Sequence, residues 1–325
     1  MKISFLKAKR CRLERKWNCS HEERRGFQRD SAFSQSPHCF GISHGKIPAM
    51  MRNSWVRLSL VALLLPTFSS ARTKAEVVSF PNGNITLQGV LYKPEGTGPF
   101  PAVVYNHGSA AGMLSSEAFE AIGPVYVGRG WVFFAPYRRG QGLSASAGPY
   151  IRDEINAAAK SSGIRAAAAT MVRLLETDHL DDQLAALAWL RKQSFVQPDR
   201  IAVAGNSFGG VEAVLGAERA QYCAAIDAAG GAESWALAPE LQALMIRAVR
   251  GSQTPIFFFQ AENDHDLSPS RTLSKIMKEA GKPFELKFYP PFGNSPQDGH
   301  SFTWLGSFTW ADDVFLFLEK YCRTN

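Results

Sequence analysis

The sequence has few cysteines, and most of them stand where no folded core is expected. Three of the five lie in the first 49 residues, which leaves Cys223 and Cys322 for the rest of the 325-residue chain. No cysteine and histidine residues have the spacing of a zinc site, and we expect neither a metal nor an organic cofactor. Sequence separation does not tell whether Cys223 and Cys322 are close in space, so a disulfide between them stays open.

Basic clusters are missing outside the N-terminal segment. Residues 1–57 carry 13 Lys/Arg and 4 Asp/Glu, a net charge of +9, which leaves −2 for the rest of a chain whose total is +7. A nucleic-acid-binding surface needs basic residues clustered on the folded part of a protein. We therefore expect no nucleic-acid partner. Nothing in the sequence indicates an oligomeric state.

The apolar run at residues 58–68 is too short for a membrane span, which needs about 20 residues. It follows the positively charged segment Met50–Arg57 and precedes Ser69-Ser70-Ala71. This order of a basic region, a short apolar region and small residues is typical of a secretory signal peptide. We expect a signal peptide over residues 50–71, cleavage near Ala71, export to the periplasm or beyond, and no stable membrane span in the mature protein. A membrane-anchoring helix behind a disordered tail is the alternative.

The first 49 residues have no hydrophobic period and are expected to be disordered. A signal peptide stands at the beginning of its precursor. Our hypothesis is that translation begins at Met50 or Met51 and that residues 1–49 are a mis-called upstream extension. N-terminal sequencing of the precursor tests this hypothesis.

From about residue 75, short apolar runs alternate with helical patterns. This alternation predicts an α/β fold with a mostly parallel eight-stranded sheet covered by helices on both faces. The Asn82-Gly83 turn between the first two runs predicts a hairpin that forms an antiparallel N-terminal edge. Strands are predicted over Val77–Phe80, Ile85–Tyr92, Ala102–Asn106, Trp131–Pro136, Arg200–Gly205, Tyr222–Asp227, Pro255–Gln260 and Phe284–Tyr289. Helices are predicted from about Ser115, over 153–176, and over Asp181–Lys192, Ser207–Arg219, Pro239–Arg250, Ser268–Ala280 and Trp310–Tyr321.

Ser207 is the candidate nucleophile. It stands in Gly205-Asn206-Ser207-Phe208-Gly209, a G-x-S-x-G motif that follows a predicted strand and opens a predicted helix. In that context the glycines permit a sharp turn that exposes the serine hydroxyl above the sheet. The alternative is an ordinary glycine-rich turn in which the serine caps the helix.

His300 is the candidate base, because a serine hydroxyl is a weak nucleophile until a base accepts its proton. It stands in a polar loop between the last predicted strand and the last predicted helix. His179 is expected to cap an exposed helix, His107 to be structural, and His265 to belong to the loop of the acid.

Asp264 is the candidate acid that orients the histidine, since a carboxylate must fix the imidazole tautomer. It follows the buried run Phe257-Phe258-Phe259, with Glu262 and Asp266 as rivals. The order Ser, Asp, His along the chain is the order of α/β-hydrolases.

Two backbone N–H groups are needed to stabilise the oxyanion. One candidate is the N–H of Phe208, directly after the nucleophile. The other is the N–H of Ser109, with Gly108 second, in the small-residue loop after Ala102–Asn106. A flexible loop without this role is the alternative.

These motifs, together with Tyr137-Arg138-Arg139-Gly140-Gln141-Gly142, make residues 76–322 resemble the dienelactone hydrolase and prolyl-oligopeptidase-like branch of the α/β-hydrolase superfamily. The resemblance implies an α/β-hydrolase catalytic domain and a brace near the site from Arg138 or Arg139. Dienelactone hydrolases proper carry a cysteine nucleophile, whereas Ser207 stands here. This difference favours esterase chemistry over dienelactone substrates.

The sequence therefore predicts a serine esterase that acts on a small-molecule ester through a Ser207-His300-Asp264 triad. An exopeptidase or amidase with the same triad is one alternative, with a small-molecule amide as substrate. An inactive α/β-hydrolase that serves as a binding protein is the other. Residues 148–177 are predicted to form a helical lid or, alternatively, packing helices. The aromatics Phe302, Trp304, Phe308 and Trp310 are predicted to line an acyl pocket or to belong to the core.

Overall fold

The computed structural model describes residues 74–109 and 117–323. The predicted signal peptide at 50–71, the extension at 1–49 and loop residues 110–116 lie outside these ranges. Among the described residues, no helix is long and apolar enough to cross a membrane.

The eight strands form one sheet in the order β1-β2-β4-β3-β5-β6-β7-β8. Strands β1 and β2 pair antiparallel, β2 also pairs antiparallel with β4, and the other neighbours are parallel. The fold predicted from the sequence, including its antiparallel N-terminal edge, is therefore confirmed. The strands are β1 (Glu76–Asn82), β2 (Ile85–Tyr92), β3 (Phe100–Asn106), β4 (Val132–Pro136), β5 (Val196–Asn206), β6 (Ala225–Ala228), β7 (Ile256–Ala261) and β8 (Phe284–Tyr289).

Most helices lie where the alternation of the sequence predicted them. One exception is the stretch 153–176, which is two helices because Gly163 stands between them with φ of +85°, a conformation that favours glycine. Another is the segment predicted as a polar loop around His300, which forms the short helices Pro296–His300 and Phe302–Leu305. The helices are α1 (Glu117–Val127), α2 (Ile151–Ser162), α3 (Ile164–Glu176), α4 (Asp178–Leu190), α5 (Phe208–Arg219), α6 (Pro239–Gly251), α7 (Ser268–Glu279), α8 (Pro296–His300), α9 (Phe302–Leu305) and α10 (Ser307–Tyr321). Short 3₁₀ helices cover Gly142–Ala147 and Trp235–Leu237.

Two apolar layers sandwich the sheet, because successive strand side chains point to opposite faces. In β7, Phe258 packs into one layer while its neighbours Phe257 and Phe259 pack into the other. Helices α2 to α7 cover the first layer, and α1 and α10 cover the second. All six residues of β7 are buried, as expected for a parallel strand covered on both faces.

The two ends of the parallel strands carry different features. A disulfide joins Cys223, which precedes β6, to Cys322, which follows α10. The loops that carry Ser207, Asp264 and the 107–109 segment follow the carboxyl ends of β5, β7 and β3. In open α/β sheets, ligands bind beyond these carboxyl ends, so the disulfide is remote from the edge where a site is expected.

Candidate active site

Ser207 stands on a sharp turn between β5 and α5. Its backbone has φ of 58° and ψ of −121°, a left-handed conformation that is costly for a residue with a side chain. The flanking glycines are required by close packing, since a Cβ on Gly205 would overlap the carbonyl of Gly209, and one on Gly209 would overlap that of Asn106. The Ser207 side chain stays partly exposed at the start of α5. This strained turn is the geometry of a nucleophile elbow.

Asp264 and His300 form a hydrogen bond of 2.9 Å in which Nδ1 of the histidine donates to Oδ1 of the aspartate. The same carboxylate accepts the backbone N–H of His265 at 2.6 Å and the amide of Gln260 at 2.9 Å. Three donors hold the buried carboxylate in one orientation. The rival Asp266 instead accepts the backbone N–H of Ser268 and so begins α7.

The local fold around His300 fixes where its ring lies. Ser295 caps α8 and forms a capping box with Asp298, so the short helix that ends at His300 has a defined start. A side chain on Gly299 would clash with Asn263 and Asp264, so glycine lets the base approach the acid loop. The amide of Asn206 donates to the hydroxyl of Thr303 at 3.2 Å, which joins the turn of the nucleophile to the segment after the base.

The pKa of His300 is raised above its ordinary value. Burial alone would lower this pKa, but the hydrogen bond and charge of Asp264, together with the charge of Glu233, raise it on balance. Since Nδ1 is bonded to Asp264, Nε2 is the nitrogen left to exchange protons. Within the described part of the chain, this Nε2 is buried and has no hydrogen-bond partner.

The loop after β3 lies directly against the nucleophile. A Cβ on Gly108 would stand 3.3 Å from the Cβ of Ser207. Ser109 is buried beside it, and its carbonyl accepts a hydrogen bond from the hydroxyl of Tyr150. Phe208 is the first residue of α5, so its N–H is among those without an acceptor inside the helix. Phe208 thus follows Ser207 directly in the chain, and Ser109 follows the glycine that lies against it. Residues 110–116 of the loop lie outside the described ranges.

A buried polar cluster holds this loop from below. We call it the anchoring cluster and define it as His107, Arg138, Gln141 and Glu212. The guanidinium of Arg138 donates to the carbonyl of Gly108 and to the hydroxyl of Ser109, both at 3.2 Å, and the amide of Gln141 donates to the same hydroxyl at 3.3 Å. Of the two arginines expected near the site, Arg138 is therefore the one that contacts the loop. Arg139 binds Asp182 and Asp178 instead.

Burial governs the protonation of the anchoring cluster. It raises the pKa of Glu212 well above its ordinary value, against the opposing charge of Arg138. Burial and then the charge of Arg138 lower the pKa of His107 well below its ordinary value. Both carboxylate oxygens of Glu212 and two nitrogens of Arg138 lack a protein partner among the described residues.

Sequence reasoning missed several of these residues. Glu212 was detectable as a lone carboxylate in the apolar run of α5, whereas nothing local distinguished Gln141 or Tyr150. The expectation that His179 caps an exposed helix is wrong, because His179 lies within α4 and is buried. Its pKa is lowered by burial and by the charges of Arg138 and Arg139.

The remaining predictions divide between core and surface. Phe302 and Trp310 belong to the core and Trp304 packs against it, whereas Phe308 is exposed on α10. In the predicted lid segment, Ile151 and Ile155 of α2 and several residues of α3 pack into the first apolar layer. The lid itself stays a prediction. Among residues 74–109 and 117–323, no three His, Cys, Asp or Glu side chains are grouped so that they could hold a metal ion.

Comparisons with known proteins agree with this fold. The sequence model of the dienelactone hydrolase family matches residues 87–304. No curated protein matches the chain by sequence.

Solved structures share the fold at low identity. An acylaminoacyl peptidase from Pyrococcus horikoshii is 16% identical over 77% of this chain and 42% of its own, with a TM-score of 0.55. Dipeptidyl peptidase 4 from Porphyromonas gingivalis is 17% identical over 77% of this chain and 36% of its own, also with 0.55. A Klebsiella pneumoniae protein with a provisional dienelactone hydrolase assignment is 16% identical over 77% of this chain and 98% of its own, with 0.54. The chain thus spans less than half the length of the two peptidases.

Proposed function

The chain belongs to the dienelactone hydrolase family of the α/β-hydrolase superfamily, and on this premise we propose that it is a serine hydrolase that cleaves carboxylic esters. The observation that carries the proposal is the 2.9 Å bond between Asp264 and His300 at the same sheet edge as the strained Ser207 turn. A histidine oriented by a carboxylate is the kind of base that activates a serine hydroxyl for attack.

The proposed reaction proceeds in two halves. In the first, the Ser207 hydroxyl attacks the ester carbonyl carbon while Nε2 of His300 accepts its proton, and Asp264 stabilises the imidazolium that forms. The C–O bond to the leaving alcohol then breaks, and His300 returns the proton to that oxygen. In the second, water attacks the acyl-enzyme with His300 again as base, and Ser207 is regenerated with release of the carboxylic acid.

The oxyanion of each tetrahedral intermediate is proposed to accept hydrogen bonds from the backbone N–H groups of Phe208 and Ser109. A donor of this kind contributes about 10²–10³ in rate when it is aimed at the developing charge beforehand. The absence of a side chain on Gly108, which stands against Ser207, supports this assignment because it leaves room for a substrate carbonyl. No step requires a metal or an organic cofactor.

The test is active-site labelling with a fluorophosphonate, read by peptide mass spectrometry and paired with turnover of p-nitrophenyl acetate. We expect the label on Ser207, and we expect Ser207→Ala to lose both label and turnover. Ser161→Ala, which changes an exposed serine of α2, is the matched control and keeps both. Folded protein without label would overturn the proposal in favour of an inactive α/β-hydrolase that binds a ligand.

Amide cleavage is the second candidate, supported by the fold shared with an acylaminoacyl peptidase. A p-nitrophenyl ester and a p-nitroanilide with the same acyl group separate the two. For each substrate, kcat/KM is divided by the rate constant of its uncatalysed hydrolysis. We expect this ratio to be at least 10³-fold larger for the ester than for the anilide. A ratio that favours the anilide would make the peptidase or amidase assignment the better one.

Export is proposed together with this function. The signal-like segment at 50–71 and the disulfide between Cys223 and Cys322 both fit an oxidising compartment. N-terminal sequencing of the mature protein is expected to begin close to Arg72. A mature protein that retains residues 50–71 in a reducing cytosol would contradict the proposal.

A further inference from the structure

A carboxylate that the proposed mechanism does not use lies beside its base. Glu233 stands in the loop after β6, and its Oε2 is 3.9 Å from Nε2 of His300. Its Oε1 is 3.8 Å from Nε2 of His265, on the acid loop. The Glu233 side chain is 41% exposed, against 8% for His300. Solvent and a substrate can therefore reach this carboxylate.

The charge of Glu233 has no permanent counter-charge. Within the described ranges, its ion-pair partners at 4.0 Å or less are His265 and His300, which carry charge only when protonated. Both distances exceed that of a hydrogen bond. His300 must be neutral to accept the proton of Ser207, and its charged form is already compensated by Asp264. In the resting site, Glu233 is thus a carboxylate without a fixed partner.

The position of Glu233 relative to the reaction defines which part of a substrate it faces. Since Nδ1 of His300 is engaged by Asp264, the proton for the leaving group comes from Nε2. The leaving oxygen must come within hydrogen-bond reach of that nitrogen. Glu233 is 3.9 Å from the same nitrogen. The carbonyl oxygen, in contrast, is the atom proposed to accept hydrogen bonds from the N–H groups of Phe208 and Ser109. Glu233 therefore lies on the side of the leaving group.

We propose that Glu233 makes the site selective for esters whose leaving alcohol carries a positive charge, such as amino alcohols and quaternary ammonium alcohols. An ammonium two carbons from the ester oxygen comes within a few ångströms of the carboxylate, where unlike charges attract. The same carboxylate repels alcohols that bear a carboxylate or a phosphate. This inference rests on the proposed serine hydrolase function and adds the class of its substrate.

A pair of substrates of nearly equal shape tests the proposal. Acetylcholine carries a trimethylammonium group, and 3,3-dimethylbutyl acetate replaces it with an uncharged tert-butyl group. We expect the wild-type protein to favour acetylcholine about tenfold in kcat/KM, in the range of a partly exposed charge pair. Both substrates have the same acyl group and are cleaved with the same base, His300. The ratio of their kcat/KM values therefore cancels any effect of Glu233 on the base itself.

Glu233→Gln removes the charge and keeps the shape of the side chain. We expect the ratio to fall close to one, whereas Glu240→Gln on α6, which removes an exposed carboxylate elsewhere, keeps the wild-type ratio. Glu233→Lys is expected to reverse the preference, so that an acetyl ester of a hydroxy acid, whose alcohol carries a carboxylate, is cleaved faster than acetylcholine. Fluorophosphonate labelling of Ser207 in each variant verifies that the site is assembled.

The outcomes separate this inference from the function on which it rests. Turnover of the neutral ester with equal kcat/KM for the charged one would overturn the role of Glu233 and leave the hydrolase assignment standing. A cation preference that survives in Glu233→Gln would also overturn it. Absence of turnover and of label in the wild-type protein would overturn the function itself. A preference for esters with a positive charge on the acyl group, and not on the alcohol, would also overturn the proposal, because Glu233 would then face the acyl side of the ester.

Discussion

Two polar clusters occupy the loops of the proposed site, and they differ in their access to water. The anchoring cluster, which bonds the loop after β3, is buried, with His107 and Glu212 at 0% exposure. The second, which we call the base cluster, is defined as Asp264, His300, Glu233 and His265, in which Glu233 and His265 are 41% and 32% exposed. One histidine in each cluster has a shifted pKa, and the two shifts have opposite signs.

The difference shows what a carboxylate partner does to a buried histidine. Nδ1 of His107 bonds the adjacent carbonyl of Gly108 and lies 3.4 Å from a guanidinium nitrogen of the cation Arg138, and burial together with this charge keeps the ring neutral. His300 is almost as buried, but Asp264 and Glu233 favour its charged form. His107 therefore stays uncharged near neutral pH and can hold the loop but not act as a base, whereas the surroundings of His300 favour both of its protonation states in turn.

The largest effect is expected from breaking the base cluster. Asp264→Asn should lower kcat about 10⁴-fold, because an amide no longer fixes the tautomer of His300 or stabilises its charged form. Esterase assays and thermal unfolding measure activity and stability separately. Asp266→Asn, on the same loop, is the control and should keep kcat within a few fold. Equal losses from both variants would contradict the assignment of the acid.

The anchoring cluster should respond mainly in stability. Arg138→Met removes the hydrogen bonds to Gly108 and Ser109 and leaves their buried acceptors without this donor, so the free energy of unfolding should fall by about 1–3 kcal/mol. Because the oxyanion loop loses its anchor, kcat should fall as well. Urea unfolding checks the first effect and esterase assays the second.

A double-mutant cycle sharpens the comparison. The pKa of Glu212 is raised by burial and lowered by the charge of Arg138, so the effects of Glu212→Gln and Arg138→Met on the free energy of unfolding should not be additive, while kcat stays low in the double variant. Additive losses of stability in the two variants would mean that Arg138 and Glu212 do not act together.

The disulfide is remote from both clusters, so its removal shows how a loss of stability away from the site affects kcat. Cys223 and Cys322 are 99 residues apart in sequence, so the bond restricts the unfolded chain strongly. Replacing both with serine should lower the free energy of unfolding by about 2–4 kcal/mol, with kcat at 25 °C unchanged because the bond lies at the opposite sheet edge. A large loss of kcat in the folded variant would contradict that separation.

The smallest effect concerns the pH dependence of the base cluster. Since the pKa of His300 is raised, the acid limb of kcat/KM should lie above pH 6.5. Glu233→Gln removes one of the charges that raise this pKa, so the limb should move down by less than about one unit. A pH profile with a neutral ester measures the shift, with Glu240→Gln as control.

The contribution of His300 to the free energy of unfolding should fall with rising pH, whereas kcat/KM rises. A histidine whose pKa is higher in the folded protein adds stability that is fully present below its unfolded value and is lost as the pH rises through the folded value. Thermal unfolding between pH 5 and 8 should therefore show the contribution of His300 declining while activity rises. A contribution that grows with pH would contradict the raised pKa.

Much of the fold could be predicted because its determinants are local. Apolar runs that alternate with helical patterns predict parallel strands and covering helices, and Gly83 forms the expected hairpin turn with φ of +55°. The Ser207 turn was also predictable, since two glycines around one serine between a strand and a helix leave few other conformations. The break at Gly163 escaped prediction because a glycine inside a helical pattern is often tolerated.

The sequence by itself thus determined the α/β architecture and the sheet edge whose loops carry Ser207, Asp264 and His300. The tertiary structure alone decided which carboxylate bonds His300, that Cys223 meets Cys322, that Arg138 holds the oxyanion loop, and that Glu233 faces the base. The physical reason is the sequence separation over which each kind of interaction acts. Strand and helix periodicity acts between residues a few positions apart, whereas these contacts join segments 29 to 99 residues apart and exist only once the sheet has brought its loops together.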